Sequence, residues 1–86
     1  MSWTPGYTPT FKRDYKNLGQ ADQSKVNSAV KDIVSSDDPR ELGRPKLGKW
    51  KGAYGYDVGR DLRVLYAVDP SSRIVTFLRC GRHAIY

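Results

Sequence analysis

The sequence holds one cysteine, one histidine and one methionine in 86 residues, and it has no long hydrophobic run. A lone Cys80 can close no internal disulfide and build no thiolate metal site, so a reducing, cytoplasmic setting is expected. No metal and no cofactor are expected. With His83 as the only imidazole, a mechanism that needs two histidines is excluded. No apolar segment approaches the roughly 20 residues a helix needs to cross a bilayer, so no membrane partner is expected. The opening "MSWTPGYTPTF" has no basic region followed by an apolar one, which argues against a signal peptide. Internal repeats and low-complexity stretches are missing too, and a chain this short is read as one domain over residues 1–86.

What is present is positive charge, unevenly placed. The formal net charge is +6. Residues 1–39 balance five Lys/Arg against five Asp, whereas residues 40–86 set ten Lys/Arg against Glu41, Asp57, Asp61 and Asp69. The whole excess therefore lies in the C-terminal half. Solubility alone does not require that asymmetry; a polyanionic partner, nucleic acid or an acidic protein, accounts for it.

Hydrophobic spacing divides the chain into helices followed by strands. In "TPTFKRDYKNLG", Thr8 can cap, Pro9 can take the first helical position, and Phe11, Tyr15 and Leu18 recur at helical spacing up to Gly19. In "ADQSKVNSAVKDIVSSDDP", Val26, Ala29, Val30, Ile33 and Val34 share one helical face, and the run stops before Pro39. A short connection makes the two a helical hairpin. After the basic loop "RELGRPKLGKWKG" the period changes to two. "AYGYDV", "LRVLYAV" and "IVTFLRC", separated by tight turns, read as an antiparallel meander. The expected class is α+β, a helical hairpin packed on a small antiparallel sheet. "SWTPGY" stays open between an edge strand over residues 2–7 and an irregular arm. In the middle strand Arg63 shares a face with Leu65 and Ala67, and Val64, Tyr66 and Val68 take the other; one face lies under the helices.

Three groups of residues can carry chemistry. Arg40, Arg44, Lys46, Lys49 and Lys51 crowd the basic loop beside Trp50, with Tyr54 and Tyr56 following. Cations hold phosphates and aromatic faces stack unpaired bases, which suits single-stranded RNA; Trp50 can equally plug the edge of the core. Arg63, inside an apolar strand, needs a partner. That partner is Asp57 or Asp61 across the turn, or a phosphate, which the planar guanidinium fits. Arg79 poses the same choice, and Arg82 follows it. His83 and Tyr86 form the third group. RNA is cut without a metal when its own 2′-hydroxyl attacks the adjacent phosphorus. A protein then accepts one proton, donates another to the leaving 5′-oxygen and stabilises the phosphoryl charge. His83 could be the acid and Arg63 the stabiliser, with Tyr86, a carboxylate or a lysine as the proton acceptor. A histidine at this position could also be a plain surface residue.

These residues resemble the RelE/ParE superfamily of toxins from type II toxin–antitoxin systems. The similar stretch is "KLGKWKGAYGYDVGRDLRVLYAVDPSSRIVTFLRCGRHAIY": a basic loop, a three-strand meander, Arg-x-x-Tyr at Arg63–Tyr66, and His83 shortly before the aromatic Tyr86. The opening Phe11–Leu18 and the second helix are similar as well. The resemblance implies one of two activities. RelE-like members are endoribonucleases that cut mRNA, mostly on the ribosome; ParE-like members poison DNA gyrase. The His83 tail resembles YoeB-like and YafQ-like ribonucleases, and "GKWKG" the YafQ-like loop, which favours the nuclease.

Under that resemblance Arg63, His83 and Tyr86 are the expected catalytic residues. Lys46, Lys49, Lys51 and Arg82 are expected to hold phosphates, with Arg44 and Arg79. A cognate antitoxin, mRNA and the ribosome are the expected partners, and gyrase is the alternative. The match is incomplete at the general base. Lysines that RelE-like members carry in the first meander strand fall on Gly55 and Asp57, and the YoeB-like glutamate falls on Pro45 or Lys46.

Overall fold

A computed structural model describes residues 3–82 of the chain. The elements run β1 (Thr4–Tyr7), α1 (Pro9–Lys16), α2 (Gln20–Ser35), α3 (Pro39–Leu42), β2 (Arg44–Pro45), β3 (Ala53–Val58), β4 (Leu62–Asp69) and β5 (Ile74–Arg82), with one 3₁₀ turn at Gly48–Trp50. No helix among the described residues is long and apolar enough to cross a membrane.

The hairpin of helices forms where the spacing placed it. Thr8 caps α1: its hydroxyl accepts from the Phe11 amide at 3.0 Å and donates to the Leu78 carbonyl at 2.9 Å. A side-chain cap of this kind stabilises by about 1 kcal/mol, and this one also ties the helix start to β5. The helix ends two residues earlier than the Leu18–Gly19 signal, with Asn17 as its C-cap, and Gly19 becomes the N-cap of α2. α2 buries Val26, Ala29 and Ile33. Pro39 begins a new helical turn, capped by Asp38, whose carboxylate accepts from the Arg40 amide.

The α+β class holds, with a larger sheet than the meander alone. Five strands lie in the order β1-β5-β4-β3-β2. The meander β3-β4-β5 is antiparallel, and β1 adds to its far edge in parallel, Thr4 opposite Ile74 through Tyr7 opposite Phe77. The open question over residues 2–7 thus resolves as an edge strand from Thr4. β2 adds at the other edge, Arg44 opposite Gly55 and Pro45 opposite Tyr54. The helices cover one face. Phe11, Val26 and Ile33 pack on Val64, Tyr66 and Phe77, all nearly inaccessible to water.

One irregularity interrupts the ladder between β4 and β5. Leu65 pairs with Arg79 and Tyr66 with Phe77, so Leu78 is an extra residue in β5. Such a bulge bends its strand and re-aims the side chains around it.

Candidate functional site

Strand register decides which cations share a surface. Paired residues point to the same side of a sheet, and sides alternate along each strand. Val64 and Tyr66 lie under the helices, so Arg63, Leu65 and Ala67 point away from them. Opposite these stand Asp57, Gly55 and Ala53 of β3. Arg44 lies opposite Gly55, and Lys46, whose amide donates to the Ala53 carbonyl at 2.9 Å, lies opposite Ala53. Arg44, Lys46 and Arg63 therefore belong to the helix-free face. From strand spacing and rise, the Arg44 and Arg63 backbones are roughly 12 Å apart, close enough for two arginine side chains to reach one anion between them. The centre of this group is not open sheet: Leu65 is fully buried and Ala53 nearly so, although both face away from the helices.

Arg63 meets the partner that plain pairing offered. Its Nε stands 3.1 Å from Asp57 Oδ1, directly across β3 and β4. The arginine side chain remains one-third exposed and the carboxylate more than half. A surface pair of this kind adds little stability, about 0–1 kcal/mol. What it does is hold the guanidinium in one orientation.

The other expected anion ligands fall in two places. Lys49 and Lys51 stay with the basic loop. Lys49 Nζ lies 5.7 Å from the centre of the Trp50 ring, within cation–π range. Trp50 is half-buried, and its indole nitrogen is buried with no partner among the described residues. Arg79 and Arg82 instead engage the acids of the helices. Arg79 gives two hydrogen bonds of 3.0 Å to the Asp14 carboxylate, which also accepts from the Cys80 amide at 3.3 Å. Where β1 stops pairing with β5, Asp14 of α1 thus takes over a backbone donor of the exposed edge. Arg82 binds Asp22 of α2 at 3.0 Å and Asp61 at 3.7 Å. The register places Gly81 opposite Arg63, so β5 ends beside the Arg63–Asp57 pair. His83 and Tyr86 lie outside the described residues.

Among the described residues, no three His, Cys, Asp or Glu side chains gather as metal ligands would. Cys80 is buried, and burial pushes its thiol up to about 12 from 9.0, away from nucleophilic use.

Tyr66 sits on the face where alternation placed it, but it makes a contact that the sequence did not reveal. It closes the Arg-x-x-Tyr stretch, yet it points opposite to Arg63. Its buried hydroxyl donates to the Pro39 carbonyl at 2.6 Å, and burial raises its pKa. A tyrosine two strands from a loop gives no sequence signal of that contact, because 27 residues separate the partners.

The model for the ParE-like toxins of type II bacterial toxin–antitoxin systems matches residues 6–86, nearly the whole chain. The chain belongs to this family. Its fold is that of solved toxins of the same kind. The toxin–antitoxin complex RelBE2 of Mycobacterium tuberculosis aligns with a TM-score of 0.72 at 24% identity, covering 96% of this chain and 100% of that one. YafQ of Escherichia coli aligns at 0.75 and 21% identity over 95% and 94% of the two chains. The YoeB–YefM complex of Staphylococcus aureus aligns at 0.72 and 19% identity over 96% and 99%. No curated protein sequence matches significantly. In this ParE-like toxin the described cations group as Arg44, Lys46, Lys49, Lys51 and Arg63 on the loop and the helix-free face, and Arg79 and Arg82 against the helices.

Proposed function

We propose that this toxin is a metal-independent endoribonuclease that cleaves mRNA, on the ribosome, to arrest translation in the cytoplasm. The observation that carries the reading is Arg63. A one-third-exposed guanidinium, held by Asp57 on the helix-free face and within reach of Arg44, suits a phosphodiester at the moment it gains charge. The one-sided excess of positive charge supports a polyanionic substrate.

In this reading the substrate's 2′-hydroxyl attacks phosphorus, a base on the protein or substrate takes its proton, and His83 protonates the departing 5′-oxygen. Arg63 stabilises the charge on the phosphoryl oxygens. Tyr86 orients a base or assists the proton acceptor. Lys46, Lys49 and Lys51 hold flanking phosphates, with Arg44. Arg82 joins them by exchanging its exposed bridge to Asp61 for a phosphate, whereas Arg79 keeps Asp14 and serves the fold. The roles of His83 and Tyr86 rest on the sequence resemblance alone.

A cognate antitoxin is the natural regulator. Solved relatives are held as RelBE2 and YoeB–YefM complexes, and an acidic segment would match the cationic loop and helix-free face. Excess antitoxin should then suppress cleavage.

The test is primer extension on mRNA after adding the purified toxin to translating ribosomes, beside a lane without ribosomes. New 5′ ends that disappear with His83→Ala support the reading. Intact mRNA in every lane, with DNA gyrase inhibited by the same preparation, would assign the toxin to the gyrase-directed activity instead.

A further inference from the structure

We infer that Tyr66 is a positioning residue, a clamp whose hydroxyl fixes the register in which Arg44 and Lys46 are presented on the helix-free face. The inference rests on the RNA-cleaving reading for what those cations hold, but the clamp is visible without it.

β2 is a poor strand by itself. It has two residues, one of them Pro45, which has no amide to donate. Beyond it, the Lys46 amide reaches the Ala53 carbonyl, and then the chain leaves the sheet through Leu47, which is largely exposed. So short a pairing does not select its own register, and a slip of one residue would turn Arg44 and Lys46 to the other face.

The anchor lies immediately upstream. Tyr66 is fully buried under the helices, and its hydroxyl donates to the carbonyl of Pro39, the first residue of α3. Gly43, the C-cap of that turn, packs close against the same oxygen. The fit admits no side chain: a Cβ on Gly43 would stand 2.6 Å from the Tyr66 oxygen and 3.1 Å from both the Gly55 carbonyl oxygen and Tyr54 Cβ. One hydroxyl thus bonds the start of α3 and packs against its end, and the next residue is Arg44. The Tyr66 ring also stacks on Tyr54, at 5.8 Å between centres, and Tyr54 is the pairing partner of Pro45. The side of β4 that faces the core thereby sets the geometry of cations on the other side.

Tyr66→Phe keeps the ring and removes only the hydroxyl. Two readouts decide the matter: amide hydrogen exchange of the whole chain, and cleavage kinetics with the salt dependence of single-stranded RNA binding. The expected result is exchange at Lys46 faster by about tenfold or more, with the amides of β4 and β5 unchanged. KM should rise about five- to tenfold at nearly constant kcat, the mark of lost ground-state contacts. The slope of log affinity against log salt should fall by about 0.7 for each phosphate contact given up. Gly43→Ala, which crowds the same oxygen, should reproduce the pattern. Unchanged exchange at Lys46 in both variants would overturn the clamp. A loosened Lys46 with unaltered KM and salt slope would overturn the positioning role. A wild-type toxin that neither binds nor cuts RNA would instead defeat the proposed function, and the exchange result would still judge the clamp.

Discussion

Asp57 and Arg63 face each other as direct cross-strand neighbours, with 3.1 Å between carboxylate oxygen and guanidinium nitrogen. The pairing that makes Arg63 tolerable in an apolar strand also aims it. Both partners are partly exposed, so the two residues should separate cleanly by mutation. Arg63→Ala should lower RNA cleavage by about 10²–10³-fold, the usual loss when one stabilising donor is removed. Asp57→Asn should leave stability within about 1 kcal/mol and keep most of the cleavage. Single-turnover rates beside denaturant midpoints check both. A loss of cleavage as large in Asp57→Asn as in Arg63→Ala would instead make the carboxylate part of the chemistry, a candidate for the missing proton acceptor.

Asp14 should matter for folding far more than for activity. It receives two hydrogen bonds from Arg79 and one from the Cys80 amide, and its side chain is 14% exposed. Asp14→Ala removes two hydrogen bonds from a half-buried guanidinium and one from an edge amide, which costs about 2–3 kcal/mol. The urea midpoint should fall with little change in slope. A shift below about 0.5 kcal/mol would mean that water replaces the carboxylate.

Stability should decline on the alkaline side. Burial raises the Cys80 thiol to about 12 from 9.0 and raises the Tyr66 hydroxyl above 10.0. The folded chain keeps protons there that the unfolded chain releases. The contribution is complete below pH 9 and is lost as pH climbs toward the folded values, at up to about 1.4 kcal/mol per pH unit for each group. Urea midpoints at rising pH should drop from about pH 9, and Cys80→Ala should delay the drop to the range where Tyr66 acts. A flat profile to pH 11 would contradict the buried environment of both groups.

Local pattern was enough for much of this fold, and the reasons are specific. Val26, Ala29 and Ile33 sit at helical spacing, and alternation put Val64 and Tyr66 on one face and Arg63 on the other. Signals carried by short, non-local pairings were not legible. β1 contains Pro5 and Gly6 and becomes a strand only because β5, some 70 positions on, offers a parallel edge. β2 is two residues long and depends on Tyr66. Arg79 looked like Arg63 in sequence, but its guanidinium is received by Asp14 of α1, 65 residues away. Charge type could be read locally; the choice between anion ligand and structural ion pair could not.

The most direct measurement is the end chemistry of mRNA exposed to purified toxin on translating ribosomes, for wild type and Arg63→Ala. Attack by the 2′-hydroxyl should leave a 5′-hydroxyl on the downstream fragment and a cyclic or 3′ phosphate on the upstream one, with the yield sharply reduced in Arg63→Ala. Fragments with 5′-phosphate ends, or no fragments from wild-type toxin that is folded by its urea transition, would contradict the assignment of Arg63 to phosphoryl charge.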